Sequence, residues 1–415
     1  MKNEVIYQIF PERFCNGNKN NDPPITSSWN SPVSKNCFMG GDLEGITKKI
    51  DYIVDLGITS IYLNPIFQSP SNHKYDTSDY YKIDSHLGSL EDFTLLIELC
   101  HDKNIKIIID GVFNHTSTDF FAFKDILVNQ NNSKYVNWYE ISEYPVTIKE
   151  NPPYTACGGA EYLPKLNTKN KEVQCYIIDV IKYWESIGID GIRLDVPFEI
   201  HPSLLTKIRK ETKLFLIGEI WGYDGETIPK YFNSVTNYGL RDLIKKAVIN
   251  QCITSSMFIN EWDFINKTYK ENVLNLLNLA GSHDTKRIYN LCNGNIKKEK
   301  LFYLFLFIMP GIPLIYYGDE IGLQGENDPY CRGCMDWNEK NWNMNIYDFI
   351  NKLIKMRKEF DVLVDGNLRL TPLSERTIKI ERYKDFKKII FYINFGFQDA
   401  TINKIIIPSM DYVIL

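Results

Sequence analysis

Acidic and basic side chains recur at the ends of apolar runs in this sequence. Asp110-Gly111-Val112-Phe113-Asn114-His115 closes one run, Arg193-Leu194-Asp195 a second, Gly218-Glu219-Ile220-Trp221 a third and Ser282-His283-Asp284 a fourth. Taken singly, each has an ordinary explanation. An Arg-x-Asp on a strand is usually a structural ion pair, and a buried His is usually a satisfied core residue. Four such groups in order exceed what a core needs. Two carboxylates flanking a scissile bond are the minimum for glycoside hydrolysis. Asp195 and Glu219 would lie on adjacent strands, whose backbones run about 4.8 Å apart, close enough for the roughly 5–5.5 Å carboxyl separation of retaining glycosidases. Arg193 and Asp195 are two residues apart and share a strand face. The guanidinium would keep Asp195 ionised, as a nucleophile requires. Glu219 follows an apolar strand and precedes Trp221, surroundings that raise a carboxyl pKa toward that of a general acid. His115 and His283 could donate hydrogen bonds to sugar hydroxyls, and Asp284 could grip a hydroxyl pair and help distort the ring.

Such groups need a scaffold that carries strand ends to one place. Eight short apolar runs read as strands: 5–10, 60–66, 105–113, 191–196, 214–220, 234–238, 278–283 and 313–317. Several are nearly continuous in Ile, Val, Leu and Tyr, as strands buried on both faces are. Amphipathic stretches at 43–56, 90–103, 171–187, 202–212 and 298–309 lie between them. The alternation predicts right-handed βαβ units closing into an α/β (β/α)8 TIM barrel, with active-site groups at the carboxyl ends of the strands. The barrel would occupy 1–113 and 171–360, interrupted after strand three by a small subdomain B at 114–170 that is too long for a simple connection. At 361–415 the pattern changes to short antiparallel strands (367–373, 377–383, 388–394 and 401–407), a C-terminal β-domain.

Length and composition narrow the classes of function. The 415 residues carry 47 Lys+Arg against 52 Asp+Glu, a net charge of −5, with 44% hydrophobic and 13% aromatic residues. This is a globular balance without the basic footprint of a nucleic-acid or anionic-membrane binder. The longest apolar tract, 301–317, is broken by Pro310, Gly311 and Pro313 and suits a buried helix running into a strand better than a membrane span. Nine Cys are scattered and odd in number, which argues against a disulfide scaffold and for a reducing compartment. No basic segment followed by an apolar run stands at the start, so no secretory signal is expected and a cytoplasmic location is.

Two further motifs carry possible chemistry. Asn16, Asn18, Asn21 and Asp22, with Gly40 and Asp42 later, place oxygen donors at alternating positions of a loop, as Ca²⁺ sites do, although an Asn-rich loop is by itself a turn-forming segment. Cys331-Arg332-Gly333-Cys334 has metal or redox spacing, but a single pair is weak for zinc and reads as a structural loop near the barrel mouth.

The chain resembles the alpha-amylase family of glycoside hydrolases over nearly all of its length, on the ordered blocks Asp110–His115, Gly191–Asp195, Gly218–Trp221 and Ser282–Asp284. The resemblance implies Asp195 as nucleophile, Glu219 as general acid/base and Asp284 as the transition-state-stabilising carboxylate. It also implies Arg193, His115 and His283 at the innermost sugar subsite, with Tyr75 stacking under that sugar and Asp76 supporting it. Val5-Ile6-Tyr7-Gln8-Ile9-Phe10-Pro11-Glu12-Arg13-Phe14, Leu163-Pro164-Lys165-Leu166-Asn167, Tyr317-Gly318-Asp319-Glu320 and 327–335 are similar to neopullulanase, cyclomaltodextrinase and maltogenic amylase. That subgroup implies cleavage of α-1,4 and some α-1,6 links in maltooligosaccharides, cyclodextrins, pullulan or starch. It also implies a structural Ca²⁺ at Asn16, Asn18, Asn21, Asp22, Gly40 and Asp42, weakened because Asn18 replaces a usual Asp. The expected partner is an α-glucan, with no nucleic acid and no membrane, for a monomer or homodimer. Two departures bear on specificity. The subgroup's usual N-terminal β-domain has no counterpart here, so a more open site is expected. The usual Val-Ala-Asn-Glu after the nucleophile is Val196-Pro197-Phe198-Glu199, which puts an apolar ring on the acceptor side. Trp221 is the tryptophan expected to stack on sugar. Two rival readings are an α-glucanotransferase using the same covalent intermediate and a non-catalytic glucan-binding barrel.

Overall fold

A computed structural model of the protein describes residues 3–415. Eight parallel strands form the central sheet: β1 (Ile6–Ile9), β2 (Ser60–Leu63), β3 (Lys106–Gly111), β4 (Gly191–Leu194), β5 (Phe215–Gly218), β6 (Ser234–Val235), β7 (Leu277–Leu279) and β8 (Ile312–Tyr316). β1 pairs with both β2 and β8, and a parallel bridge from Thr236 to Leu277 joins the β6 and β7 ends, so the sheet closes into the expected barrel. The strands are two to six residues long. All but β8 are shorter than their apolar runs because polar residues such as Asn64, Asp195 and Glu219 leave the ladder at the mouth.

Parity explains which side chains point into the barrel. Ile6, Tyr62, Ile108, Ile217, Leu277, Leu279, Ile312 and Leu314 fill the interior as one buried cluster. Asp110 and Glu219 lie two residues beyond Ile108 and Ile217, on the same inward face but at the open end. The register Asp110–Arg193–Ile217 sets the inward residues of β3, β4 and β5 level with one another.

Helices jacket the barrel. Lys171–Ile187 buries Val173, Ile177, Val180, Ile181 and Trp184 on one side; Asn170 caps its start and Gly188, at φ 112°, ends it in a left-handed turn. Ile296–Ile308 is buried on nearly every face and runs into β8, which accounts for the long apolar tract. Among the described residues, no helix is long and apolar enough to cross a membrane. The single helix expected over 43–56 is two, Leu43–Lys48 and Ile50–Leu56, because the Lys49 N–H closes onto Ile46 and the backbone opens to ψ 12° there.

Between β3 and Lys171 the chain forms a helix, Phe121–Asn129, and a loop assembly tied by bridges His115–Lys165, Tyr139–Leu166 and Ala156–Pro164. It stands over the mouth of the barrel. After Asp365 an antiparallel sheet orders Asn367–Pro372, Thr377–Lys384, Lys387–Asn394 and Asp411–Ile414. The run 401–407 is not one strand as expected. It is a hairpin, Ala400–Ile402 with Ile405–Ile407, because Asn403 and Lys404 both adopt positive φ, 49° and 69°. The strand that completes the sheet is Asp411–Ile414.

Candidate active site

A cleft of about 880 Å³ opens at the carboxyl ends of the strands. Tyr75, Asp76, His115, Asp195, Glu219, Trp221, His283 and Asp284 line it. Arg193 lies beneath them, 4% exposed, and organises the floor. Its Nη1 is 2.7 Å from Asp195 Oδ1 and 2.9 Å from Asp110 Oδ1, and its Nη2 is 2.9 Å from Glu219 Oε1. The two candidate catalytic carboxylates are thus held by the two terminal nitrogens of one planar guanidinium, an arrangement that lysine cannot supply.

The local backbone is built for this contact. Asp195 N bonds Gly111 O, and Glu219 N bonds Leu194 O, which keeps both residues in the sheet's register one step past their strands. Val196 then takes φ 44°, ψ 49°, a left-handed conformation that costs a β-branched residue about 1–3 kcal/mol. That turn aims the Val196 N–H at Glu219 Oε2, 3.1 Å away. Trp221 Nε1 donates to Glu219 Oε1 at 3.2 Å. Glu219 therefore sits among three donors rather than in the apolar surroundings expected from sequence, because the loop after β4 folds back over it.

Charge in this floor is unbalanced. Burial pushes the Asp195 carboxyl well above its ordinary range; Arg193 opposes the rise, and the carboxylates of Glu219 and Asp110 add to it. Burial raises Asp110 as well. Arg193 alone was expected to hold Asp195 ionised, but it is shared among three acids. Asp195 and Asp110 therefore retain a proton more readily than solvent-exposed carboxylates would.

The two histidines are neutral and fixed. Gln8 Nε2 lies 2.9 Å from His283 Nδ1. An amide nitrogen only donates, so Nδ1 is the acceptor and the ring proton is on Nε2. That proton faces Tyr75 Oη at 2.5 Å and Asp284 Oδ2 at 3.0 Å. Burial pushes the His283 pKa well below its ordinary value. His115 Nε2 donates to the Tyr75 carbonyl at 3.1 Å, and its Nδ1 is buried without a partner. Burial pushes its pKa down to about 4. The Tyr75 carbonyl thus already takes the His115 N–H that was expected to donate to a sugar hydroxyl. Tyr75 is stacked on the His283 ring and donates to Asp110 at 2.9 Å. Asp76 accepts from Ser69 at 2.6 Å and from Ser71, which holds it in the wall of the cleft. Trp221, 48% exposed, stacks face to face on Tyr238 at 3.9 Å. Phe198 stands 65% exposed at the same lip.

Sequence reasoning missed Arg332, Asp328, Gln8 and Tyr62. Arg332 bonds Asp284 Oδ1 at 3.3 Å, Asp328 at 3.0 Å and the His283 carbonyl at 2.9 Å. Cys331 donates to the same carbonyl, so the Cys-x-x-Cys loop clamps the His283-Asp284 turn. Both of its cysteines are free thiols. Gln8 and Tyr62 are polar residues inside apolar strands, a signal that was legible but too common to single out.

The Asn-rich loop is adjacent to β1. Asp42 accepts from the N–H groups of Gly17, Asn18 and Gly45 and caps the helix Leu43–Lys48. Asn16 donates its amide to Asp22 at 2.8 Å. The Asn16 Oδ1 and Asn21 Oδ1 atoms are buried and have no hydrogen-bond partner. Gly40, at φ 80°, leaves no room for a Cβ beside Asp22 Oδ1 and Asn16 Nδ2. Unpartnered amide oxygens beside a carboxylate in a tight loop are a donor set that fits a hard cation.

Comparison with known proteins places this geometry. The family model described as alpha amylase, catalytic domain, matches residues 8–345. A cyclomaltodextrinase of Thermoanaerobacter pseudethanolicus is 42% identical over 407 residues, covering 94% of this chain and 70% of that protein. Neopullulanase 2 of Thermoactinomyces vulgaris is 41% identical over 378 residues, covering 89% of this chain and 65% of its own length. The chain thus spans about two thirds of these curated relatives. The solved cyclic α-maltosyl-(1→6)-maltose hydrolase of Arthrobacter globiformis, in complex with that sugar, superposes with a TM-score of 0.97 at 35% identity, covering 100% of this chain and 98% of its own. Matches of this extent leave one assignment for a barrel whose strand ends converge in this way: the chain belongs to the alpha-amylase family of glycoside hydrolases, in the group of the cyclomaltodextrinases, neopullulanases and maltogenic amylases.

Proposed function

We propose that the protein is a retaining hydrolase of short α-glucans built from maltose units, linear or cyclic, cleaving α-1,4 and α-1,6 links. One observation carries the reading: Asp195 and Glu219 sit on the two terminal nitrogens of Arg193 in the floor of one open cleft. Asp195 attacks the anomeric carbon while Glu219 gives its proton to the departing oxygen. A β-glycosyl ester on Asp195 results, and water resolves it with Glu219 now acting as base. Asp284 engages ring hydroxyls, His115 stands in the wall beside them, Tyr75 provides a face for the sugar, and Trp221 and Phe198 flank the leaving side.

The small cyclic substrate is supported by the likeness to the Arthrobacter hydrolase, which was solved in complex with cyclic α-maltosyl-(1→6)-maltose. The exposed Phe198 supports a second reading, transfer to a sugar acceptor, because an apolar ring favours a sugar face over water at the leaving side. Asn16, Asn21, Asp22 and the Gly40 carbonyl would hold a structural Ca²⁺ whose charge ties the loop to the barrel. The nine free thiols suit a cytoplasmic site of action.

The test is Glu219→Gln with maltotriose and cyclic maltosyl-maltose. We expect turnover to fall by about 10²–10⁴ with an unchanged circular dichroism spectrum; near-normal turnover removes Glu219 from the acid role. NMR of the first product should show the α anomer. Products longer than maltotriose at high substrate would establish transfer.

A further inference from the structure

A second cavity, about 360 Å³, lies behind Asp284 at the ends of β6 and β7. It shares Asp284 with the cleft, but both Asp284 oxygens are engaged on the cleft side by His283 and Arg332. What faces the second cavity is cationic: Arg241, Lys245 and Lys286, with Thr285, Asn293 and Asn327 as neutral partners.

The cations are poorly neutralised. Arg241 is 8% exposed, and its Nε donates to the Ala280 carbonyl at 2.8 Å. Its nearest carboxylate oxygen, on Asp242, is 3.9 Å from Nη1 and belongs to a side chain 59% exposed to solvent. Lys245 is half-buried, and among the described residues no acid pairs with it. Only Lys286 has a close partner, Glu326 at the rim. Buried charges are normally paired, since an isolated one forfeits its hydration without compensation. A buried guanidinium whose one ion pair is long and solvent-exposed, and an ammonium with no acid partner, thus face one polar cavity.

We propose that this cavity is a phosphate site, taking orthophosphate or the phosphoryl group of a sugar phosphate. A guanidinium and two ammonium groups match a multiply charged oxyanion better than a single carboxylate, and the amide and hydroxyl groups supply donors to its remaining oxygens. The site does not depend on the glucan reading of the neighbouring cleft.

Isothermal titration of the full chain at low ionic strength tests it, with orthophosphate, glucose 6-phosphate, glucose and sodium chloride as separate ligands. Orthophosphate should bind in the millimolar range or tighter. Lys245→Gln should weaken it at least about tenfold, the worth of one charge-assisted hydrogen bond, and leave maltotriose turnover unchanged. Arg241→Gln should do the same where it folds. Tighter binding of glucose 6-phosphate than of orthophosphate, lost in Lys245→Gln and not matched by glucose, identifies a sugar phosphate as occupant; equal binding identifies the free ion. No phosphate binding, binding indifferent to Lys245→Gln, or equal competition by chloride would overturn the assignment.

Discussion

Glu299 offers a sharp test of how this barrel handles buried charge. It sits on the helix Ile296–Ile308 with no exposed surface, and neither carboxyl oxygen has a hydrogen-bond partner. Burial, with the nearby Asp319 adding to it, pushes its pKa from 4.5 up to about 8. The raised pKa sets the sign. Below pH 4.5 the group is protonated in folded and unfolded chains alike and has no effect. Between 4.5 and 8 the unfolded chain ionises while the folded one stays neutral, so stability falls as pH rises, and above 8 the loss is complete. Each pH unit in that window costs about 1.4 kcal/mol, so about 3 kcal/mol is withheld at pH 7 and about 4–5 at pH 8. Glu299→Gln keeps the shape and removes the ionisation. Urea midpoints should show the variant gaining under about 1 kcal/mol at pH 5 and several at pH 8. Wild type and variant with parallel midpoints across that range would refute the reasoning, since no pH-linked cost would then reside at Glu299.

Other outcomes follow from the site. Gly218→Ala places a Cβ 2.8 Å from the Phe232 ring; overpacking of this kind should cost about 1–3 kcal/mol and, one residue before Glu219, lower kcat, read by denaturation and maltotriose kinetics together. Arg193→Lys leaves one point charge for three carboxylates, so kcat should fall at least about 10²-fold. Arg193 opposes the rise at Asp195, so the acid limb of the pH–rate profile should also move to higher pH; an unmoved limb would separate Arg193 from the titrating group. Under the proposed Ca²⁺ site, argued from the unpartnered oxygens of Asn16 and Asn21, chelation should lower Tm, and an unchanged Tm would refute that site.

Much of the site was legible because barrel chemistry is carried by strand ends. Asp110, Arg193, Glu219 and His283 could be found one segment at a time, since an apolar run ending in a polar residue is a local pattern. Arg332 could not. Its loop is far from every strand block in the chain, and its neighbours Cys331 and Cys334 drew attention to thiol chemistry, whereas in the fold it is the guanidinium that grips Asp284. The second cavity is equally invisible in one dimension: Arg241 and Lys245 share a helix face with nothing remarkable about their spacing, and only the approach of the 285–293 segment makes them walls of one pocket.

The amino-acid order by itself determined the alternation of buried strand and amphipathic helix, the barrel this implies, and the carboxylates that end its strands, because burial and two-residue parity act over a few neighbouring positions. Tertiary structure alone decided how charge is shared. Glu219 became a hydrogen-bonded acid when the strained turn at Val196 folded over it, the His115 N–H was committed to the Tyr75 carbonyl, and one guanidinium came to serve three acids. Electrostatics depends on distances between atoms that the chain brings together from remote positions, and those distances exist only once the barrel has closed.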